Sequence, residues 1–288
     1  MSSHKEIDHI TGTDTTGHDW DGIKELNNPL PRWWLWTFYI TIVWAIGYTI
    51  AYPAWPMISG ATKGVLGYAT RAEVAADIAQ FEEANAAISA RLAAADLNNL
   101  SADPELSRYA ASAGAAVFRN NCSTCHGAGA AGAVGYPNLL DDDWLWGGDF
   151  DSIAYTIRHG IRNEEDWDAR FSEMTAFDDI LSRDEIDTVV QHVRAISNQS
   201  HDAELAKEGA VVFADNCTSC HGADGAGLRD LGAPNLTDAI WLYGGDEAAI
   251  KETVRFARFG VMPNWSTRLS EAEIKAVTAY VHQLGGGE

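Results

Sequence analysis

The longest apolar run of the chain lies at residues 33–52, and no charged residue stands between Arg32 and Lys63. Twenty helical residues rise about 30 Å, which is the thickness of the hydrocarbon core of a bilayer. Aromatic side chains, which favour membrane–water boundaries, cluster at both ends of the run. They are Trp33, Trp34, Trp36, Tyr48, Tyr52 and Trp55. The pattern predicts one transmembrane helix, which Pro53 and Pro56 end.

Two other structures also contain long apolar runs, namely a cleaved signal peptide and the core helix of a soluble protein. A signal peptide begins with a short basic stretch, whereas the residues before this run carry more acid than base. A core helix would rarely hold so many tryptophans without any charge. A retained membrane anchor is therefore predicted. Basic residues flank it on both sides, so they do not fix its orientation.

Helical periodicity follows the anchor. Apolar residues recur at helical spacing within the Ala-rich stretch 69–96, which predicts an amphipathic connecting helix. These residues are Val74, Ile78, Phe81, Ile88 and Leu92. The segment DLNNLSADPELS at 96–107 then contains turn formers and a proline that end this helix.

Residues 114–196 and 209–284 repeat one pattern. The first begins GAAVFRNNCSTCHG and the second GAVVFADNCTSCHG, and each later contains an aromatic-rich WLWGGD or WLYGGD segment. IRHG at 157–160 is matched here with ARFG at 257–260. Since only two copies exist, the pattern indicates a tandem pair of domains rather than a solenoid. The polar segment 197–207 is predicted to be the linker between them.

Each repeat is predicted to end in a helix that begins with a capping box, Ser182 with Glu185 and Ser270 with Glu273. Each helix carries an apolar stripe, and the stripes consist of Ile186, Val189, Val190 and Val193, and of Ile274, Val277 and Val281. A glycine and a phenylalanine precede each cysteine pair, where the glycine would admit another helix closely. They are Gly114 with Phe118, and Gly209 with Phe213. No alternation typical of strands stands out, so both domains should be mainly helical.

Composition narrows the class of protein. The 288 residues contain 20 Lys+Arg against 41 Asp+Glu, a formal net charge of -21, which disfavours binding to nucleic acid. All four cysteines belong to the two repeated clusters, and none is left for a structural disulfide.

The clusters CSTCH and CTSCH have the spacing of a covalent c-type haem site. Two thiols three positions apart can each bond to one vinyl group of a haem, and the following histidine can bind the iron. The residues are Cys122, Cys125 and His126, and Cys217, Cys220 and His221. Zinc would need two further Cys or His ligands in each domain, and the chain has no further cysteine. A thioredoxin-type redox pair would not explain a histidine in the same place twice.

The four methionines of the chain are the candidates for the second axial ligand of each iron. Met1 starts the chain and Met57 lies at the membrane edge, which leaves Met174 and Met262, one in each repeat and each three residues before an aromatic ring. A thioether favours reduced iron and raises the potential, as suits an electron carrier. The alternative is that these methionines only fill the core.

The two repeats differ before these methionines. From Gly160 to Met174 is 14 positions but from Gly260 to Met262 only 2, which indicates a 12-residue insertion in the first repeat. His159, matched with Phe259 in this alignment, is an alternative ligand for the first haem or a residue that packs near it. The matched residues Arg158 and Arg258 are candidates for pairing with haem propionates.

Residues 18–36, HDWDGIKELNNPLPRWWLW, closely resemble the N-terminal signature of the dihaem subunit (subunit III) of cbb3-type cytochrome c oxidases. The resemblance continues through the anchor and both CxxCH motifs. It implies that His126 and Met174 hold one iron and that His221 and Met262 hold the other. The family has proline after the ligating methionine, which Pro263 matches and Thr175 does not.

The fold expected from all this is all-α, with one N-terminal transmembrane helix followed by two tandem class I cytochrome c domains. The predicted parts are a cytoplasmic tail (1–32), the anchor (33–58), a periplasmic helical linker (59–108) and the two cytochrome c domains (109–198 and 199–288). Because c-type haem is attached on the outer face of bacterial membranes, the domains should lie in the periplasm.

The resemblance further implies a role in respiration. The chain would not be an enzyme by itself but would take electrons from a donor cytochrome c. It would pass them to a monohaem cytochrome subunit and then to the catalytic haem–copper subunit, which reduces oxygen and pumps protons. The alternatives are a free-standing dihaem carrier and a dihaem peroxidase, which needs an open or displaceable iron position. Apart from these proteins the predicted partner is membrane lipid.

Overall fold

The computed structural model of the chain describes residues 6–288, which form two compact units that divide after Glu83. The first unit contains the strands β1 (Thr15–Trp20) and β2 (Ile23–Leu26), the helix α1 (Arg32–Ala51), two short strands, β3 (Pro56–Met57) and β4 (Gly60–Ala61), and the start of α2 (Thr70–Ala94).

The strands β1 and β2 form an antiparallel hairpin in the N-terminal segment. Trp20 pairs with Ile23 across the two-residue turn Asp21–Gly22, and both turn residues have positive φ, 52° and 89°. These are the φ values that a type I′ turn requires, and Asp-Gly is a favoured sequence for it. The hairpin was not predicted, although the Asp-Gly dipeptide signals it.

Helix α1 coincides with the predicted anchor. Within residues 6–288 it is the one helix long and apolar enough to cross a membrane, and none of its residues is buried. The alternative of a core helix is therefore wrong. The connecting helix α2 is also present, but its apolar stripe is only partly used: Leu92 is fully buried, while Val74, Ile78 and Phe81 are exposed.

The second unit holds the repeats. After a 3-10 turn (Leu97–Ala102), the first repeat forms α3 (Pro104–Val117), a π-helical turn (Phe118–Cys122), α4 (Ser123–His126), α5 (Phe150–His159) and α6 (Arg183–Ile196). The second forms α7 (Ala203–Asn216), α8 (Thr218–His221), a 3-10 turn (Arg229–Leu231), α9 (Glu247–Phe256) and α10 (Glu271–His282). Both predicted capping boxes are present, at Ser182 and at Ser270.

The helices of the two repeats exchange partners. Helix α3 of the first repeat packs against α10 of the second, and α7 of the second packs against α6 of the first. A Cβ added at Gly114 would lie 2.6 Å from the carbonyl carbon of Ala276 in α10, and one added at Gly209 would lie 2.9 Å from the amide nitrogen of Val189 in α6. The predicted close approach at each glycine is confirmed, but each partner helix comes from the other repeat.

Two hydrophobic cores result, each built from both repeats. Lobe A consists of α3, α4, α5, α10 and the segment 262–269, and its core includes Phe118, Ile157 and Val277. Lobe B consists of α6 to α9 and the segment 174–181, and its core includes Val189, Phe213 and Val254. The domain boundaries 109–198 and 199–288 describe the sequence repeats and stay a prediction. The lobes do not follow them, since each lobe takes its last helix from the other repeat.

The end of the linker belongs to lobe A. Leu92, Leu97 and Leu100 are buried with residues of α3 and α10 in a third cluster. The Lys275 ammonium of α10 donates to the carbonyl oxygens of Ala93 and Ala95, both at 2.7 Å. These bonds satisfy carbonyls that the end of α2 leaves without helical partners.

Candidate haem-binding sites

The first CxxCH motif lies at the end of the helical segment that α3 begins. Its histidine, His126, closes α4 and is followed by Gly127 at φ 80°, which turns the chain away from the helix. The Nδ1 atom of His126 lies 3.2 Å from the carbonyl oxygen of Pro137. With Nδ1–H donated to that carbonyl, Nε2 is left as the ligating nitrogen. Burial lowers the pKa of His126, which favours the neutral imidazole that a metal needs.

The second motif repeats this arrangement. The Nδ1 atom of His221 lies 3.1 Å from the carbonyl oxygen of Pro234, and Gly222 follows at φ 77°. Burial also lowers the pKa of His221. Pro137 and Pro234 belong to the YPNL and APNL segments, which are equivalent in the two repeats. The repeated proline-containing loop therefore orients the histidine in each lobe.

The cysteines do not resemble a redox pair. Burial, with a smaller effect of the neighbouring Cys125, raises the pKa of Cys122 to about 11, and Cys217 beside Cys220 is raised to about 11 in the same way. Reactive thiols of CxxC oxidoreductases have lowered pKa values instead. The first cysteine of each motif, Cys122 or Cys217, is half-buried, and the second, Cys125 or Cys220, is exposed. Cys122 and Cys217 therefore lie against the two cores.

The ligand atoms of the motifs are not clustered as those of a zinc site would be. Among residues 6–288, one group of at least three His, Cys, Asp or Glu ligand atoms lies within 4.8 Å of one another, and it consists of His159, Asp166 and Asp168. Neither CxxCH motif is part of such a group. The sets of ligands around the motifs therefore fit haem better than zinc.

Met262 lies in lobe A. It packs against the same core as Cys122, and its backbone pairs with Ile161 through two hydrogen bonds of 3.0 Å. Trp265, three residues later, donates its backbone N–H to the carbonyl oxygen of Ile157 in α5. The methionine segment of the second repeat is thus held against a helix of the first repeat.

Met174 lies in lobe B. It packs against the same core as Cys217. The backbone N–H of Phe177 donates to the carbonyl oxygen of Val254 in α9, at 3.1 Å. This contact matches the one between Trp265 and Ile157, so the two methionine segments occupy equivalent places in opposite lobes.

The packing of the methionines does not follow the pairing expected from sequence order. That pairing joins His126 to Met174 and His221 to Met262, whereas the structure packs Met262 with the first CxxCH motif and Met174 with the second. The physical reason is that the last part of each repeat crosses to the other lobe, and its methionine crosses with its final helix. The departure of Thr175 from the family's proline consequently concerns the site at Cys217.

The sequence also contains a signal for this register. ARFSEM at 169–174 and ARFGVM at 257–262 are identical at four of six positions, including the methionine. In the structure Arg170 donates to the Thr156 hydroxyl, and Arg258 donates to the equivalent Thr253 hydroxyl. The match of IRHG with ARFG is therefore wrong, and so is the 12-residue length. The insertion of the first repeat is residues 160–168.

The other candidates around the haems have local partners. His159 bonds through Nδ1 to the Asp166 carboxylate at 3.0 Å, so that nitrogen is engaged within the insertion. Arg158 pairs with Glu271 at 2.7 Å. Arg258 donates to the carbonyl oxygen of Ala249 at 2.7 Å. The two arginines matched in the sequence are thus not equivalent, since Arg158 contacts α10 and Arg258 contacts α9.

Comparison with known proteins agrees with the resemblance. The family model described as the N-terminal domain of cytochrome oxidase-cbb3, FixP, matches residues 12–59, and the model described as cytochrome c oxidase, cbb3-type, subunit III matches residues 110–193 and 204–281. The chain is 65% identical over 276 residues to the cbb3-type cytochrome c oxidase subunit CcoP of Cereibacter sphaeroides, with 95% of each chain covered. It is 50% identical to the subunit FixP of Sinorhizobium medicae, with 99% of each covered. The chain belongs to the subunit III (CcoP/FixP) family of cbb3-type cytochrome c oxidases.

Proposed function

We propose that the chain carries two covalent haem c groups and relays electrons within a cbb3-type oxidase. As a member of this family it is an electron-transfer cytochrome c subunit of the oxidase complex. One haem would be attached at Cys122 and Cys125 and the other at Cys217 and Cys220. When bound, each haem supplies an iron that is reduced and reoxidised by one electron.

The proposed axial ligands are His126 with Met262 in lobe A and His221 with Met174 in lobe B. The observation that carries this assignment is the composition of the two cores, since each holds one CxxCH motif and one methionine. Two methionine-closed sites favour an electron carrier over a peroxidase, which needs an open position. The chain's own contribution is to orient each imidazole through a proline carbonyl and to enclose each thioether in an apolar core.

The direction of transfer and the partners belong to the same proposal. A donor cytochrome c would deliver electrons to this subunit, which would pass them to a monohaem cytochrome subunit. The catalytic haem–copper subunit would then reduce oxygen to water and pump protons. With c-type haem attached outside the cytoplasm, residues 59–288 would lie in the periplasm and the tail before α1 in the cytoplasm.

Ligand substitution in the purified complex tests the assignment. Met262→Leu should remove the far-red band of one oxidised His/Met haem and lower the midpoint potential of that haem. Met174→Leu should do the same to the other haem. To identify the components, the experiment is repeated in a chain with Cys217→Ser and Cys220→Ser, which retains only the haem of lobe A. There Met262→Leu should remove the remaining band. Loss of that band in Met174→Leu instead would refute the crossed assignment.

The relay itself is tested by rapid mixing with a reduced soluble cytochrome c. Electrons should appear on the haems of this subunit before they reach the catalytic subunit. Reduction of the catalytic subunit at an undiminished rate in a complex that lacks this chain would contradict the proposed relay.

A further inference from the structure

The insertion at residues 160–168 reaches the place where the two repeats cross. The guanidinium of Arg162 donates through Nε to the carbonyl oxygen of Gly260 at 2.7 Å and through Nη1 to the carbonyl oxygen of Ser172 at 2.8 Å. Ser172 and Gly260 occupy the same position in the ARFSEM and ARFGVM segments, two residues before each methionine. One side chain therefore bonds both crossing segments at equivalent points.

The backbone of the insertion also contacts both segments. Ile161 pairs with Met262 on one side and with Arg170 on the other, and the backbone N–H of Arg162 donates to the carbonyl oxygen of Arg170 at 2.7 Å. The side chains of Arg170 and Arg258 each bond to the preceding helix of their own repeat, α5 or α9. The side chain of Arg162 differs from these because it bonds both segments, two residues before each methionine.

The backbone conformation and the burial of Arg162 are both energetically unfavourable. Its backbone has φ 52°, the left-handed region that non-glycine residues rarely adopt. Its guanidinium is half-buried over the Phe259 ring, with 5.6 Å from Cζ to the ring centroid, and burial lowers the pKa of this side chain. Strain of the backbone and desolvation of the charge persist only where contacts offset them, and the two carbonyl bonds are charge-assisted.

We propose that Arg162 is a positioning residue that fixes both methionine segments at their crossing and so controls both thioether–iron distances at once. The proposal rests on the axial ligation put forward above. Without the guanidinium, the carbonyl oxygens of Gly260 and Ser172 lose this partner, and each segment loses the side-chain bond nearest its methionine. A defect at one residue of the first repeat should then appear at both haems.

The test is Arg162→Gln in the intact, purified oxidase complex, studied by visible spectroscopy and by redox titration of the c-type haems. We expect both far-red bands to weaken and both midpoint potentials to fall. Met262→Leu and Met174→Leu, which should each alter one component, serve as references for the two haems. Arg108→Gln is the matched control, because Arg108 is exposed on α3 and its loss removes the same charge.

Arg162→Lys provides a second variant. A lysine ammonium can hold two carbonyl oxygens, as Lys275 does at Ala93 and Ala95, so this variant should keep more of both bands than Arg162→Gln.

The outcomes separate the proposal from the ligation that underlies it. If the two methionine variants each remove one band but Arg162→Gln changes neither component or only one, the positioning role is overturned and the ligation stands. If the methionine variants leave both bands intact, the ligation itself fails. If Arg162→Gln does not yield a complex with two haems, the result depends on Arg162→Lys. Unaltered bands and potentials in Arg162→Lys would then assign Arg162 to folding alone.

Discussion

The exchange of helices between the repeats is tested most directly by adding one methyl group at Gly114. This glycine of α3 is buried, and a Cβ there would lie 2.6 Å from the carbonyl carbon of Ala276 and 2.7 Å from Cβ of Tyr280, both in α10. Ordinary van der Waals contact begins at about 3.4 Å, and a backbone carbonyl cannot turn aside as a flexible side chain can. Helices α3 and α10 would therefore have to move apart.

Two opposing effects set the magnitude. Replacement of glycine by alanine within a helix gains about 1 kcal/mol from helix propensity. Overpacking of a close helix contact costs about 1–3 kcal/mol. Because backbone rather than side-chain atoms are met here, the upper part of that range applies, and Gly114→Ala should destabilise lobe A by about 1–2 kcal/mol.

Hydrogen–deuterium exchange of the purified complex shows which helices lose stability. A loss of about 1.4 kcal/mol in local opening corresponds to about tenfold faster exchange. In Gly114→Ala the faster amides should lie in α10, far along the chain, while α6 of the same repeat keeps its protection. Gly209→Ala should show the reverse, with faster exchange in α6. Ser112→Ala, on the exposed side of α3, should leave both helices unchanged.

The opposite pattern would refute the crossed packing. If Gly114→Ala increased exchange in α6 and left α10 protected, each repeat would pack on itself. The assignment of Met262 to the first CxxCH motif would then fall as well, because it depends on the same crossing.

Further predictions concern individual sites. Ser182→Ala and Ser270→Ala should each lower stability by about 1 kcal/mol in thermal unfolding, because each removes one capping box, with Ser112→Ala as the neutral reference. Burial and the neighbouring Asp238, Asp141 and Asp142 raise the pKa of Asp143 to about 6, so its charge destabilises the folded state above that pH. Asp143→Asn should therefore stabilise the protein by about 1 kcal/mol at pH 7, after allowance for solvent screening, and by nothing at pH 3.5; equal gains at both pH values would contradict this reasoning. Gly22→Ala should destabilise the N-terminal hairpin by about 1 kcal/mol, since Gly22 has φ 89°, and faster exchange of the β1 and β2 amides would report it.

Much of the fold could be predicted because it depends on local patterns. The anchor follows from an uncharged apolar run, the final helices from their capping boxes, and the close helix contacts from Gly114 and Gly209. The hairpin was also predictable, since Asp21–Gly22 is a local turn signal, although its two strands show no clear alternation of apolar and polar residues.

The crossing could not be predicted in the same way. The apolar stripes of α6 and α10 are near copies, and either could cover α3 or α7 with similar burial. A tandem repeat therefore encodes the shape of each contact but not which copy supplies it. The insertion at residues 160–168 marks the difference, since it is present in one repeat only, yet its length alone does not show that it spans a crossing.

The crossing has a consequence for how the two candidate sites depend on each other. Unfolding of α10 uncovers α3 in lobe A and also removes the segment that carries Met262. Helix α10 and this segment belong to the second repeat, whereas α3 belongs to the first. The reverse holds for α6 and Met174 in lobe B. Neither lobe can therefore keep its set of ligands while the other repeat is lost, and the two sites are held in one cooperative unit. Under the proposed function this is an advantage, because electron transfer between two haems requires that their separation stays fixed.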